Sequence, residues 1–157
     1  MDNLNAIGLE KNQSEALVHE LNKLLASYQV FYMNVRGFHW NIRGHQFFEL
    51  HLKFEELYDD LILKVDELAE RILTLGSTPL HSYADYLECS SIQPVKGAID
   101  AKTTVESVLK AFQTLLIDQR SMLKQASEAG DEGTVAILGE YIKQQEKLVW
   151  MYSAYLA

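Results

Sequence analysis

Five side chains within one stretch of the sequence are of the types that bind transition metals. They are two histidines and three carboxylates: His39, His51, Glu55, Asp66 and Glu70. Imidazole nitrogens combined with carboxylate oxygens suit first-row transition metals such as iron, zinc and manganese. The set is large enough to hold one ion firmly and a second more weakly, which leaves coordination positions open for an oxidant. The residue types therefore favour a catalytic metal site, although each residue taken singly is more often a solvated charge or a structural histidine.

The spacing of these residues argues against a site within one subunit. If residues 46–75 form one helix, His51 and Glu55 lie one turn apart. Asp66 and Glu70 form a second pair with the same spacing. The two pairs are separated by roughly 22 Å along the axis at 1.5 Å per residue, yet they point within about 60° of the same direction. One helix of one subunit cannot close such a set around a single ion.

A second copy of the same helix would bring the two pairs together. If the copies pack antiparallel across a two-fold axis near Leu61, each copy completes the half-site of the other. A two-fold contact is self-complementary, so one interface creates two equivalent sites. The spacing therefore predicts a homo-oligomer with metal sites at a two-fold dimer interface.

Four amphipathic helices are predicted to position these residues, because apolar side chains recur at three- and four-residue steps. The expected helices span about 14–39, 46–75 and 100–130, and a fourth follows Asp131. The 157 residues are 48% apolar and 23% charged, which suits a single domain over residues 1–157. The long connection between helices two and three contains YADYLE, which can form a short extra helix. These features predict an all-α four-helix bundle with one crossover.

Polar residues at the predicted helix ends indicate where each helix begins. Ser14 is a plausible N-cap for the first helix. The third helix is expected to begin at either Asp100 or Thr103, the latter as part of a capping box. Gly130 is expected to end that helix, and Asp131 to cap the fourth.

Charge and composition limit the possible locations and partners. The net charge of −8 disfavours binding to polyanions, and the first 22 residues hold only one basic residue, Lys11. No basic residue follows Lys147, and no apolar run is long enough to cross a membrane. The N-terminus lacks the pattern of a secretory signal, and Cys89 is the only cysteine. We therefore expect a cytoplasmic protein without a membrane partner, whose acidic excess attracts cations or simply maintains solubility.

The stretch from Arg36 to Gly76 resembles the Dps family, the DNA-binding proteins from starved cells, which are also called mini-ferritins. The motifs that carry the resemblance are HWNIRG at 39–44, FxxLH at 47–51, DELAERILTLG at 66–76, Gly-Asp at 130–131 and EKLVWM at 146–151. Other di-iron carboxylate bundles build their site inside one bundle from Glu-x-x-His pairs. No histidine of this chain has a glutamate three residues before it. The sequence therefore does not support a site inside the bundle.

The resemblance implies a ferritin-like bundle that assembles into a hollow dodecamer with ferroxidase centres at its dimer interfaces. In family terms, His39 and His51 come from one subunit, and Asp66 and Glu70 come from its two-fold mate. The carboxylate at Glu55 is expected near the second iron. The resemblance implies that Trp40 lies beside the centre and takes part in electron transfer or radical quenching.

The activity implied by the resemblance is oxidation of Fe(II) to Fe(III), preferentially by hydrogen peroxide, with storage of ferric mineral in the cavity. Two Fe(II) ions paired with one peroxide consume the electrons that otherwise yield hydroxyl radical. Such a protein protects the cell from oxidative damage and contributes to iron homeostasis.

Two other functions and one other site stay open at this stage. One alternative is a nucleoid-associated, DNA-binding protein with secondary iron chemistry, although the net charge predicts weak or no DNA binding. Another is a bundle with a vestigial or zinc-filled site. The acidic residues Glu128, Asp131 and Glu132 either line an iron-entry pore or form a capped, solvated turn.

Overall fold

Four long helices and one short helix make up most of residues 3–157, the part of the chain that the computed structural model describes. The helices are α1 Lys11–Asn41, α2 Phe47–Thr74, α3 Tyr83–Cys89, α4 Ala101–Glu128 and α5 Glu132–Leu156. Within the described residues, β-pairing is limited to one isolated bridge between Leu4 and Glu10. The predicted all-α bundle with a short extra helix in its crossover is therefore confirmed.

Short connections pair neighbouring helices. Only five residues separate α1 from α2, and three separate α4 from α5, so each pair must run antiparallel. The core between the helices consists of large apolar side chains, including an edge-to-face pair of Phe31 on α1 and Phe112 on α4 with centroids 5.3 Å apart. None of the helices in residues 3–157 combines the length and apolar character needed to cross a lipid bilayer.

The start of α1 differs from the prediction. The N-cap residue is Glu10, which makes no capping side-chain bond, and Ser14 is buried inside the helix. The Ser14 hydroxyl accepts a hydrogen bond from the Asn5 amide at 3.2 Å. The prediction that Ser14 caps α1 was wrong, because the preceding segment folds back and extends the helix toward its N-terminus. Asn5 stabilises that segment by accepting hydrogen bonds from the backbone N–H groups of Ile7 and Leu9.

The starts of α4 and α5 carry carboxylate caps. The Asp100 carboxylate accepts a hydrogen bond from the Thr103 backbone N–H at 2.8 Å, and this bond holds the pKa of Asp100 below its usual value. Of the two predicted starts for α4, Asp100 is therefore the correct one. Asp131 caps α5 as predicted, by accepting from the Thr134 N–H at 3.0 Å.

Asp131 also joins α2 to the α4–α5 turn. The Arg71 guanidinium, near the end of α2, donates to the Asp131 carboxylate at 2.5 Å and to the Thr134 hydroxyl at 2.9 Å. Asp131 is only 2% exposed. For this residue the geometry favours a buried cap with an arginine partner over an open pore-lining carboxylate, whereas Glu128 and Glu132 are exposed.

The crossover is fixed to α1 by polar side chains. The buried Asn34 side chain makes two hydrogen bonds with the backbone of the crossover. Its amide nitrogen donates to the Gln93 carbonyl, and its amide oxygen accepts from the Val95 N–H, each at 2.9 Å. The Ser27 hydroxyl accepts from the Ser91 N–H at 2.9 Å. These bonds satisfy the backbone of a segment that lacks regular structure, and they keep it along the helix that carries His39.

Candidate metal centre

The two predicted histidine ligands lie in contact with each other. His39 is on the last turns of α1, His51 is near the start of α2, and their rings stack with centroids 3.8 Å apart and planes 16° from parallel. Their backbones and rings are bonded reciprocally. The Nδ1 atom of His39 lies 2.7 Å from the His51 carbonyl oxygen, and the Nδ1 atom of His51 lies 2.8 Å from the His39 carbonyl oxygen.

This reciprocal bonding fixes the proton on each neutral ring. A carbonyl oxygen can only accept, so each Nδ1 atom must carry a hydrogen and donate it. The neutral ring then has its lone pair on Nε2, which is the nitrogen left available for a metal ion. Histidines that bind metals commonly donate their other N–H to a carbonyl in this way. The arrangement therefore leaves two imidazole nitrogens with lone pairs that a metal ion could accept.

The turn between α1 and α2 brings the histidines together. Gly44 adopts a positive φ of 114°, and its carbonyl accepts from the Phe47 N–H at 3.2 Å at the start of α2. Phe47 then stacks on His51 with centroids 5.0 Å apart. His39 and His51 are twelve residues apart in the sequence, yet their rings are in direct contact because the chain reverses within one short loop.

Two further side chains were not predicted as part of the site: Tyr58, which contacts His39, and Arg36, which packs on Tyr58. The Tyr58 ring packs edge-on against His39 with centroids 5.2 Å apart, and its hydroxyl lies 3.4 Å from a Glu55 carboxylate oxygen. The Arg36 guanidinium lies over Tyr58 at 4.3 Å and over Trp40 at 4.9 Å from the ring centroids. Burial and the negative charge of Glu55 raise the pKa of Tyr58, and Arg36 opposes that change. The sequence contained one weak indication of the contact between Arg36 and Trp40, because the two residues are one helical turn apart.

The other two predicted ligands lie elsewhere in the same chain. Asp66 and Glu70 are exposed on α2, roughly 22 Å along the helix axis from His51 and Glu55 at 1.5 Å per residue. Neither carboxylate makes a hydrogen bond or ion pair with any residue in 3–157. Across those residues no three side chains of histidine, cysteine, aspartate or glutamate converge into a metal-binding group. The structure therefore brings His39, His51 and Glu55 to one end of α2 and leaves Asp66 and Glu70 toward the other.

One face of α2 packs against the bundle, and the opposite face has no cover from the described chain. The side chains on that second face, all exposed except the half-buried Glu55, alternate between apolar and acidic groups: Phe48, Leu52, Glu55, Asp59, Ile62, Leu63, Asp66, Glu70 and Leu73. Phe48 is 84% exposed and Leu63 is 70% exposed. Large apolar side chains grouped on a surface indicate an interaction site. We call this set the outer face of α2.

Positions on the outer face are related by a common midpoint. The pairs 51 and 70, 55 and 66, and 48 and 73 are each centred between residues 60 and 61, which is also the centre of α2. This symmetry relates each residue of the histidine end to a residue of the acidic end. It also relates the most exposed aromatic residue, Phe48, to the exposed Leu73.

The interior of the bundle holds a polar group of a different kind. The Tyr28 hydroxyl donates to the Gln119 amide oxygen at 2.5 Å, Gln119 donates to Gln145 at 2.8 Å, and Gln145 donates back to the Tyr28 hydroxyl at 2.6 Å. These three buried, neutral side chains satisfy one another in a closed ring. No set of imidazoles and carboxylates is gathered there among the described residues. The bundle interior and the outer face of α2 therefore differ in chemistry.

Comparison with known proteins agrees with this fold. The ferritin-like domain family matches residues 18–157. The DNA protection during starvation protein of Porphyromonas gingivalis is 44% identical over 97% of this chain and 96% of its own length. The crystal structure of a Dps protein from Vibrio cholerae O1 superposes with a TM-score of 0.97 at 54% identity, covering 99% of this chain and 98% of that one.

The chain belongs to the Dps family of ferritin-like proteins. A Dps protein from Bacillus brevis also superposes, with a TM-score of 0.91 at 37% identity over 93% of this chain and 98% of that one. The Vibrio protein is described as a member of a broad superfamily of ferritin-like diiron-carboxylate proteins. The predicted resemblance and the predicted ferritin-like bundle are both confirmed.

Proposed function

We propose that the protein is a ferroxidase and iron-storage protein that oxidises Fe(II), preferentially with hydrogen peroxide, at centres shared between two copies of the chain. The supporting observation is the distribution of ligand types on α2. Imidazoles with available Nε2 atoms lie at one end, carboxylates that have no partner among residues 3–157 lie at the other, and both ends are related by the midpoint of the helix. A second α2 packed antiparallel on the outer face would bring the two ends together.

In this arrangement each residue of the half-site has a defined role. The Nε2 atoms of His39 and His51 would bind iron from one chain, and Asp66 and Glu70 of a second copy would bind it from the other. Glu55 would supply a carboxylate to a second, more weakly held ion. Phe48 would pack near Leu73 of the second copy and exclude water from the edge of the site. The mixture of nitrogen and oxygen donors suits Fe(II) as the substrate.

The proposed chemistry explains why a pair of ions is useful. Hydrogen peroxide accepts two electrons and two protons to become two molecules of water. Two Fe(II) substrate ions supply one electron each, so no hydroxyl radical is released. The ferric product would be stored as mineral inside a hollow assembly, for which we propose twelve copies of the ferritin-like unit formed by residues 1–157. A cytoplasmic location and protection from oxidative stress follow from the same proposal, and the single Cys89 suits a reducing compartment.

Trp40 is the proposed electron donor beside the centre. It directly follows His39 and is 58% exposed in the single chain. Its ring lies against the Arg36 guanidinium, 4.9 Å from the ring centroid, and this contact restrains the indole. If a single Fe(II) reduced hydrogen peroxide by one electron, the resulting hydroxyl radical could be quenched by one-electron oxidation of this indole.

Stoichiometry tests the proposed reaction most directly. Protein loaded anaerobically with Fe(II) and then given a pulse of hydrogen peroxide should oxidise about two Fe(II) per peroxide, because peroxide is a two-electron oxidant. Absorbance of the ferric product and residual peroxide should be measured together, with particle size recorded by light scattering. Bovine serum albumin at equal concentration serves as the protein control. A ratio near one Fe(II) per peroxide, accompanied by a spin-trapped hydroxyl radical, contradicts the proposal.

A DNA-protecting role is the second candidate, since the relative from Porphyromonas gingivalis carries DNA protection in its name. The charge of this chain opposes direct binding, because a net charge of −8 repels the phosphate backbone. We therefore expect no retardation of linear duplex DNA in a gel at moderate salt without Mg(II). A parallel gel with Mg(II) tests whether divalent ions bridge the two surfaces. A clear shift without Mg(II) refutes the charge argument and favours the DNA-binding role.

A further inference from the structure

Arg36 is a half-buried cation with an unusual environment. Its guanidinium carbon lies 4.3 Å from the centroid of the Tyr58 ring, 4.9 Å from Trp40 and 5.9 Å from Tyr32. Among residues 3–157 it has no carboxylate partner within ion-pair distance, although the chain contains 22 acidic residues. Aromatic faces attract a guanidinium but do not neutralise its charge. The positive charge of Arg36 therefore acts on its surroundings.

The nearest consequence of that charge concerns the candidate metal centre. Tyr58 separates Arg36 from two of the proposed ligands, since its ring contacts His39 and its hydroxyl lies 3.4 Å from the Glu55 carboxylate. These contacts limit the separation between the guanidinium and the Glu55 carboxylate to roughly 10 Å, close to one Debye length in physiological salt. At this range, across a largely buried phenol ring, charges are only partly screened.

We propose that Arg36 is the counter-charge of the metal-free centre and that it lowers the affinity of the Glu55 side for divalent ions. This inference rests on the proposed sharing of the centre between two copies. In that arrangement Glu55 of one chain meets Asp66 and Glu70 of the other, and three like charges repel when no metal is bound. Arg36 offsets part of this repulsion.

The same charge has the opposite effect once metal is present. Bound cations already neutralise the carboxylates, so the guanidinium then repels the nearest ion. Compared with a centre that lacks this charge, Arg36 makes the metal-free assembly more stable and the metal-loaded assembly less stable. A unit charge acting on a divalent ion at this separation changes the binding constant by about tenfold when salt screening is included. Weaker binding on the Glu55 side favours release of the ion after oxidation, which turnover requires.

The test is a comparison of three variants with the unaltered protein. Arg36→Met removes the charge and keeps a long apolar side chain, Arg36→Lys keeps the charge, and Lys110→Met removes one exposed positive charge from α4. Co(II) is used because, unlike Fe(II), it is not rapidly oxidised by air. It is titrated into each metal-free protein, and binding is measured by calorimetry. Thermal unfolding of each metal-free protein is followed by circular dichroism.

Charge compensation predicts opposite changes in the two measurements. If the titration shows two binding events, Arg36→Met should bind Co(II) about tenfold more tightly in the weaker one; if it shows one event, that event should be about tenfold tighter. The metal-free Arg36→Met variant should also unfold at a lower temperature than the unaltered protein. Arg36→Lys and Lys110→Met should resemble the unaltered protein. Equal or weaker Co(II) binding by Arg36→Met overturns the inference, as does an Arg36→Lys variant that behaves like Arg36→Met. If the unaltered protein binds no Co(II) at all, the proposed centre itself is wrong, which is a distinguishable result.

Discussion

The double variant His51→Ala/Asp66→Ala should lose rapid, peroxide-driven Fe(II) oxidation. We expect a decrease of at least roughly a hundredfold in the initial rate, since changes to groups that merely orient metal ligands already cost up to that much. His51 supplies an imidazole whose proton is fixed by the His39 carbonyl, and Asp66 supplies an exposed carboxylate with no other partner in residues 3–157. Stopped-flow absorbance of the ferric product after a peroxide pulse measures the effect.

Matched controls separate loss of ligands from loss of fold. His45→Ala removes an exposed imidazole immediately before α2, and Asp59→Ala removes a carboxylate from the outer face that the helix midpoint relates to Ile62 rather than to a ligand. Both controls should retain most of the activity. Neither His51 nor Asp66 belongs to the buried core, so the double variant should keep its helical circular dichroism and its assembly size. Unchanged oxidation kinetics in the double variant would remove these residues from the mechanism.

Local sequence patterns predicted the long helices and the ligand spacing because those features depend on neighbours within one or two turns. The boundaries predicted for α2 lie within one residue of those observed. The carboxylate cap of α5 could likewise be predicted, since Asp131 accepts a hydrogen bond from the backbone N–H only three residues further along the chain. The continuous 28-residue α2 then fixed the separation of its two ligand pairs without any tertiary information.

The features that the sequence did not reveal depend on contacts between distant segments. Tyr58 reaches His39 only because α2 returns along α1, and no periodicity encodes the rotation of one helix against the other. The reciprocal bonds between the histidines depend on the geometry of the Gly44 turn. The error at Ser14 has the same origin, because a cap assignment assumed an extended approach to α1 where the segment around Asn5 folds back.

The proposed two-chain centre would have a physical consequence for the isolated subunit. The outer face of α2 exposes large apolar side chains beside carboxylates, a combination that is costly to leave in water and costly to bury without a cation. In the proposed arrangement a second copy would cover the apolar side chains, and metal or Arg36 would balance the carboxylates. Assembly and metal binding would then use the same surface, so bound metal would add to the stability of an assembly that already forms without it.

Mixed assemblies of two inactive single variants should regain activity. In a dimer of a His51→Ala chain with an Asp66→Ala chain, one proposed centre loses both groups and the other keeps all of its ligands. Random pairing of equal amounts makes half of the dimers mixed, so about a quarter of all centres should be intact. The two chains can be co-expressed with different affinity tags, and tandem purification enriches the mixed assemblies. The measurement is the amplitude of rapid Fe(II) oxidation relative to the unaltered protein.

A second mixture tests whether the recovered activity depends on which chain supplies each ligand. A His51→Ala chain combined with a His39→Ala chain places both defects in the same half-site, so each centre of a mixed dimer lacks one imidazole and none should recover. The contrast between the two mixtures depends only on which of the two chains supplies each proposed ligand to a given centre. Recovery in the first mixture and none in the second requires a centre built from two chains. No recovery in the first, from assemblies shown to contain both chains, means that the imidazoles and the carboxylates do not meet across the outer face.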